Sequence, residues 1–382
     1  MRSLFLLVSA VVLVDMMFFA AVAPLLPHYS DELDLSKTGA GILMAAYPAG
    51  AFVGALPAVW LATRIGVKPT LLLGLGLLGM TSLAFAFADD IVLLDASRFV
   101  QGVGGSCMWA AGMAWLVSAA PADRRGELIG AAMSAAIVGV LLGPVLGGAA
   151  TVSSPEVVFS VVAAVAGLLA AWVLSTPPPR REESRGGGVM LRALRGPVFI
   201  AGLWLFTIPA LFSGVVEVLA PLRMDDLGAT GVAIGAVFLV SAAVEAVVSP
   251  LAGRFSDRAG RLAPIRAGLL GASVLAVVLP LPSSAALLAV LVVLAFTALA
   301  AFWAAAAAML SDAAEHAGLD QAFAFGISNL AWAGGHFIGA GAGGAIAEAT
   351  SDFVPYIALA VTCMATLLAV TIGRRRALAG VS

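Results

Sequence analysis

Gly253-Arg-Phe-Ser-Asp257-Arg258-Ala-Gly260-Arg261 stands between two long apolar runs and holds three arginines, one aspartate and two glycines. It reads as a short charged loop. A degraded copy lies 194 residues earlier, where Arg64 and Gly66 occupy the places of Arg258 and Gly260. The same offset relates Trp109 to Trp303, Leu116 to Leu310, and Pro27 to Pro221. In so biased a chain alanine and leucine matches arise by chance; proline, tryptophan and loop-arginine matches at one offset are a stronger sign. The chain therefore reads as two related halves, 1–176 and 197–382. A linker, 177–196, rich in proline, glycine and arginine joins them.

Composition sets the solvent. Of 382 residues, 62% are hydrophobic and 11% charged, against roughly 25% charged in soluble domains. Mean hydropathy is +1.07. Many apolar runs reach the roughly 20 residues that cross a bilayer as a helix. None alternates in the ten-residue segments of a membrane barrel. The expected fold is all-α and polytopic. Twelve spans are read, at about 4–27, 39–61, 70–88, 91–119, 128–150, 156–176, 197–221, 230–252, 264–282, 284–310, 320–347 and 353–373. The first lacks a small-residue cleavage site and is read as retained. Cys107 and Cys363 both lie in apolar runs, which excludes a disulfide framework or a CxxC metal pattern.

Arginine placement orients the spans. With the N-terminus in the cytoplasm, 17 of the 20 basic residues fall on that side, among them Arg64, Lys68, Arg124, Arg125, Arg254, Arg258, Arg261 and Arg374 to Arg376. Lys37 and Arg223 fall outside, and Arg98 lies within a span. The outer loops carry acids instead, including Asp31, Glu32, Asp34, Asp225, Asp226, Glu348 and Asp352. Both termini are then cytoplasmic, which requires an even number of spans. The expected setting is a bacterial cytoplasmic (inner) membrane.

Two parallel groups of six spans resemble the major facilitator superfamily, in which a midplane site lies between the halves. Three local patterns carry the resemblance. The first is Gly253 to Arg261, similar to the family's signature loop after spans two and eight; glycine permits a tight turn, and Asp257 is placed to cap a neighbouring helix. In the first half Thr63 replaces that acid, and Asp312, Glu315 or Asp320 is left to meet Arg64. The alternative is that these arginines only set topology. The second is Arg98-Phe-Val-Gln101-Gly102-Val-Gly104-Gly105, similar to the family's span-four motif. A buried arginine there needs a partner or water, and Asp95, three residues earlier, offers a purely local one. The third is Gly139-Val-Leu-Leu-Gly143-Pro144-Val-Leu-Gly147-Gly148, similar to the motif of the drug:proton antiporter branch. Its glycines make a stripe for close helix approach, and Gly335, Gly339 and Gly343 repeat it in span eleven; generic helix packing is the plainer reading.

Acids within spans are functional candidates. Asp15 lies about eleven residues into span one, near the midplane at roughly 1.5 Å per residue. Glu217 lies in span seven. By the repeat it aligns with Ala23, roughly 12 Å nearer the outside. The run Val14-Asp15-Met16-Met17-Phe18-Phe19, ending at Pro24 and Pro27, resembles span one of the vesicular amine transporters and their bacterial relatives; Glu217 with Pro221 resembles their span seven. In that group the two acids are associated with cationic substrate and with protons. This chain departs in two places: Val218 stands where a proline follows the acid, and 290–309 has no acid. Glu245 in span eight and His336 in span eleven complete the coupling candidates. The cavity-lining candidates are Met16, Phe18, Gln101, Trp109, Asn329 and Trp332. Each of these also has a packing reading, since aromatics are ordinary in membrane spans.

The function read is secondary active transport: a proton-coupled antiporter exporting a cationic or amphiphilic small molecule by alternating access. A proton-coupled importer or facilitator of a small metabolite such as a sugar uses the same fold. No enzyme signature is present: HExxH and a phosphate-binding glycine loop are absent, and His28, His316 and His336 are far apart. The expected partners are a small-molecule substrate, protons and the lipid bilayer, with no nucleic acid, metal or cofactor, in a monomer.

Overall fold

The computed structural model describes residues 2–119, 125–177, 197–316 and 321–379. Twelve helical spans follow one another. The first is broken. It comprises α1 (Arg2–Ala21), a 3-10 turn (Ala23–Leu25) and α2 (Leu26–Glu32). Pro24 explains the break, because it has no N–H to continue the ladder. The first half continues with α3 (Lys37–Arg64), α4 (Val67–Ala86), α5 (Ile91–Ala119), α6 (Arg125–Val152) and α7 (Pro155–Ser175). The second half holds α8 (Pro197–Asp226), α9 (Gly231–Ala259), α10 (Leu262–Val278), α11 (Ala285–His316), α12 (Gln321–Ala349) and α13 (Phe353–Ala379). Residues 178–196, most of the expected linker, lie outside the described residues, as does Asp320.

The stretch Gly253 to Arg261 is mostly helix. α9 runs on through Gly253 to Ala259, and the reversal is confined to Gly260 and Arg261. Charge ends the apolar run without ending the helix, because arginine is a good helix former. The turn itself needs glycine. Gly260 has φ +85° and Gly66 has φ +98°, a left-handed region costly for any residue with a Cβ. The 194-residue offset thus relates two identical backbone solutions. Spans one and seven likewise run past Pro27 and Pro221, to Glu32 and Asp226.

Helix pairing follows the small residues. Gly139, Gly143 and Gly147 on α6 receive the backbone of α1 at Leu13, Met17 and Ala21. On α12, Gly335, Gly339 and Gly343 receive α8 at Thr207, Leu211 and Val215. The two stripes therefore seat the two acid-bearing helices. α12 has a second small face: Gly334, Gly341 and Gly344 lie against Phe52, Ala45, Gly41 and Lys37 of α3. α6 meets α9 where Pro144 and Gly148 face Gly235.

These cross-half contacts lie toward the end that carries the acidic loops. There Lys37 pairs with Asp352, and the Thr38 N–H donates to Glu348 at 2.7 Å. At the basic end α3 presents Leu56 and Trp60, and α9 presents Leu251 and Phe255, as exposed side chains. Arg261 there bonds Asp257 and, at 2.9 Å, Asp312 of α11, all within the second half. Lys68 donates to the Leu174 and Thr176 carbonyls, tying the start of α4 to the end of α7.

Candidate functional site

The break in α1 builds the site. A helix leaves its last four carbonyls without intrahelical partners, and Phe19 is in that last turn. Arg98 Nη2 of α5 donates to the Phe19 carbonyl at 3.4 Å. A cation at a helix C-terminus is also favoured by the dipole. Arg98 Nη1 donates to Gln101 Oε1 at 2.6 Å. The guanidinium stands 5.0 Å from the Tyr47 ring, 5.6 Å from Phe18 and 6.0 Å from Phe19. Arg98 and Gln101 are fully buried. The hydrogen bonds of Arg98 thus go to Gln101 and the end of α1, not to Asp95.

Asp15 points from the face of α1 opposite the α6 stripe. At about 100° per residue, Leu13, Met17 and Ala21 share one side and Asp15 and Phe19 the other. The Asp15 carboxylate is fully buried. Its Oδ2 accepts from the Tyr47 hydroxyl at 3.0 Å and from Trp109 Nε1 at 3.1 Å. Gly105 leaves the room: a Cβ there would lie 2.8 Å from the Tyr47 oxygen and 3.2 Å from both Asp15 oxygens. Arg98 lies within electrostatic reach of both Asp15 and Glu217.

The second half contributes a separate group. Glu217 Oε2 on α8 lies 3.3 Å from His336 Nε2 on α12. His336 is buried, and its ring centroid is 5.5 Å from that of Trp332. Glu245 on α9 is partly buried, feels the charge of Glu217, and has no hydrogen-bond partner among the described residues. Asn329 is half-buried on α12. Among the cavity candidates, Met16 packs against Gly139 of α6, and Phe18 fills a first-half cluster with Phe85 and Phe159.

Several buried polar atoms here have no hydrogen-bond partner among the described residues: Asp15 Oδ1, Arg98 Nε, Gln101 Nε2 and both ring nitrogens of His336. Leaving such an atom dry costs about 1–3 kcal/mol. The region therefore favours a polar guest. The reading by sequence missed Tyr47, and it held Phe19 and Gly105 only as members of motifs, with no role assigned. Tyr47 left a signal, as one of only three tyrosines in the chain and set within an apolar run.

The sequence profile of the Major Facilitator Superfamily matches residues 8–222 and again 210–381. The chain belongs to the major facilitator superfamily. Its fold matches the crystal structure of a D-xylose-proton symporter with a TM-score of 0.75 and 18% identity, over 96% of each chain. It also matches a bacterial homologue of the lysosomal transporter Spinster, in an inward-facing and unoccupied conformation. That TM-score is 0.73 at 16% identity, over 97% of this chain and 94% of that one. Multidrug resistance protein 2 of Bacillus subtilis is 23% identical over 90% of this chain and 88% of its own. The MFS-type transporter ppzB of Metarhizium rileyi is 30% identical over 35% of this chain and 29% of its own length, so the chain spans less than a third of that relative. The human synaptic vesicular amine transporter is 35% identical over 23% of this chain and 17% of its own. The chain is thus a multi-pass member of a family of transporters, not of enzymes.

Proposed function

We propose that this transporter is a proton-coupled antiporter that exports a cationic or amphiphilic small molecule. The halves 1–176 and 197–382 act as the two moving bodies, in a bacterial cytoplasmic membrane with both termini in the cytoplasm. The observation that carries the reading is Asp15: a fully buried carboxylate within the first span, held by Tyr47 and Trp109, with one oxygen lacking a hydrogen-bond partner among the described residues. A carboxylate so placed can hold either a proton or a cationic group, and competition between the two gives exchange. Glu217 with His336 supplies a second station in the other half. The full-length likeness to a multidrug resistance protein supports export of an amphiphile, and the partial likeness to an amine transporter supports a cationic one.

With the basic end in the cytoplasm, the seam at the acidic end faces outside and the exposed α3 and α9 ends face in. The conformation is then inward-facing. Reconstitution in liposomes tests the function, with an imposed pH gradient and ethidium as the cation. Wild-type protein moves ethidium against the proton flux, and Asp15→Asn abolishes that movement. Proton-driven ethidium transport that survives Asp15→Asn removes the assignment. Flux of ethidium in the same direction as the protons replaces export by import.

A further inference from the structure

Phe19 is the point where the two carboxylate groups meet. On the first-half side its ring centroid lies 4.9 Å from that of Tyr47, the donor to Asp15. Its carbonyl is held by Arg98, whose guanidinium also approaches the ring face. On the second-half side the ring meets Trp332 edge-on at 5.4 Å and His336 edge-on at 5.5 Å. His336 in turn lies beside Glu217. Phe19 is one helical turn beyond Asp15 on the same face of α1, so it stands between Asp15 and the acidic-end seam. It is buried.

The backbone here is not a continuous helix. α1 stops at Ala21, and the 3-10 turn begins two residues later. The Phe19 carbonyl bonds a side chain of another helix, so a shift of Arg98 is transmitted to the ring. Arg98 in turn feels Asp15 and Glu217. Asp15 accepts from Tyr47, whose ring lies 5.0 Å from the Arg98 guanidinium and 4.9 Å from the Phe19 ring, so a proton or a cation on Asp15 alters the packing that seats Phe19. When the ring leaves Trp332 and His336, the two halves lose their mid-depth contact through α1.

We propose that Phe19 is a positioning residue for coupling: its ring transmits occupancy at Asp15 to the Glu217–His336 pair and blocks the direct path between them. The proposal rests on the proton-exchange reading of the same site. It assigns to Phe19 the stoichiometric link between proton and substrate, not affinity for either.

The test compares wild type, Phe19→Ala and Phe19→Tyr in liposomes that enclose a pH-sensitive dye, with ethidium as the cation. Matched elution and helical circular dichroism establish that the variants fold. Phe19→Ala is expected to lower the ethidium moved per proton at least fivefold and to raise proton entry without ethidium. Phe19→Tyr, which keeps the ring, is expected to stay within twofold of wild type on both. A wild-type ratio in Phe19→Ala overturns the proposal. So does equal uncoupling by alanine and tyrosine, which marks a general packing role. Should wild-type protein show no proton–ethidium exchange, the antiport reading falls; the ethidium-free proton leak of Phe19→Ala against wild type then decides the proposal alone, equal leaks overturning it.

Discussion

The acidic-end seam and the basic-end turn use the same kinds of bond to opposite purposes. At the seam, Lys37 reaches Asp352 and Thr38 reaches Glu348, partners more than 300 residues apart and in different halves. At the basic end, Arg261 joins Asp257 and Asp312 inside one half. Bonds of the first kind must break if the halves part; bonds of the second kind can persist throughout. Asp257, expected to cap a neighbouring helix, bonds Arg261 of its own turn.

The largest effect should come from thickening the seam. A Cβ at Gly41 would lie 2.7 Å from the Ala340 carbonyl and one at Gly344 would strike the Lys37 carbonyl. Overpacking costs about 1–3 kcal/mol, a shift of roughly 5–150-fold between two states. Gly344→Val should therefore drive the acidic ends apart. Spin labels at Asp31→Cys and Thr350→Cys report this as a longer dipolar distance; an unchanged distance would show that the seam does not hold the halves.

A middle effect is expected from the charges. Lys37 and Asp352 are 37% and 26% exposed, so their pair contributes at most about 1 kcal/mol. Glu348 is held below the ordinary glutamate range because Thr38, with Ser36, bonds its ionised form. That contribution is complete above the ordinary range and is lost as pH falls through the lowered value. The closed fraction should stay flat from about pH 8 to pH 5 and fall only in stronger acid. Glu348→Gln should lower the plateau and shrink the acid limb to the part that comes from Lys37–Asp352. A limb near neutral pH in wild type would mean that another group governs the seam.

The smallest effect on the seam should come from the turn. Asp257→Asn is expected to leave the label distance unchanged while lowering transport more than Thr63→Ala does, since among the described residues Thr63 bonds the Trp60 carbonyl of its own helix alone. Equal transport losses would reduce the turn to a topological signal.

These differences track what the sequence could carry. The helices were legible, because hydropathy alone decides where a chain can cross a bilayer. Asp15 was legible as a charge in an apolar run, and the 194-residue offset pointed to the two positive-φ glycines, Gly66 and Gly260. The partners were not. Tyr47 meets Asp15 through the packing of α1, α3 and α5, and no spacing along the chain encodes that meeting. Lys37, Glu348 and Asp352 were visible as loop charges, but their pairing across the halves depends on which end is closed. The end of α9 was misplaced because hydropathy reports where the bilayer ends, and the helix continues beyond it.

The two small faces of α12 carry a consequence for how this protein can vary. One face, Gly335, Gly339 and Gly343, packs against a helix of its own half, and the other, Gly334, Gly341 and Gly344, against a helix of the opposite half. Phe337 and Ile338 between them are exposed. A library of all single substitutions across this helix should therefore separate into two intolerant stripes. One would be depleted in any selection for a folded protein. The other would be depleted only when transport is selected, because it constrains the cycle and not the fold.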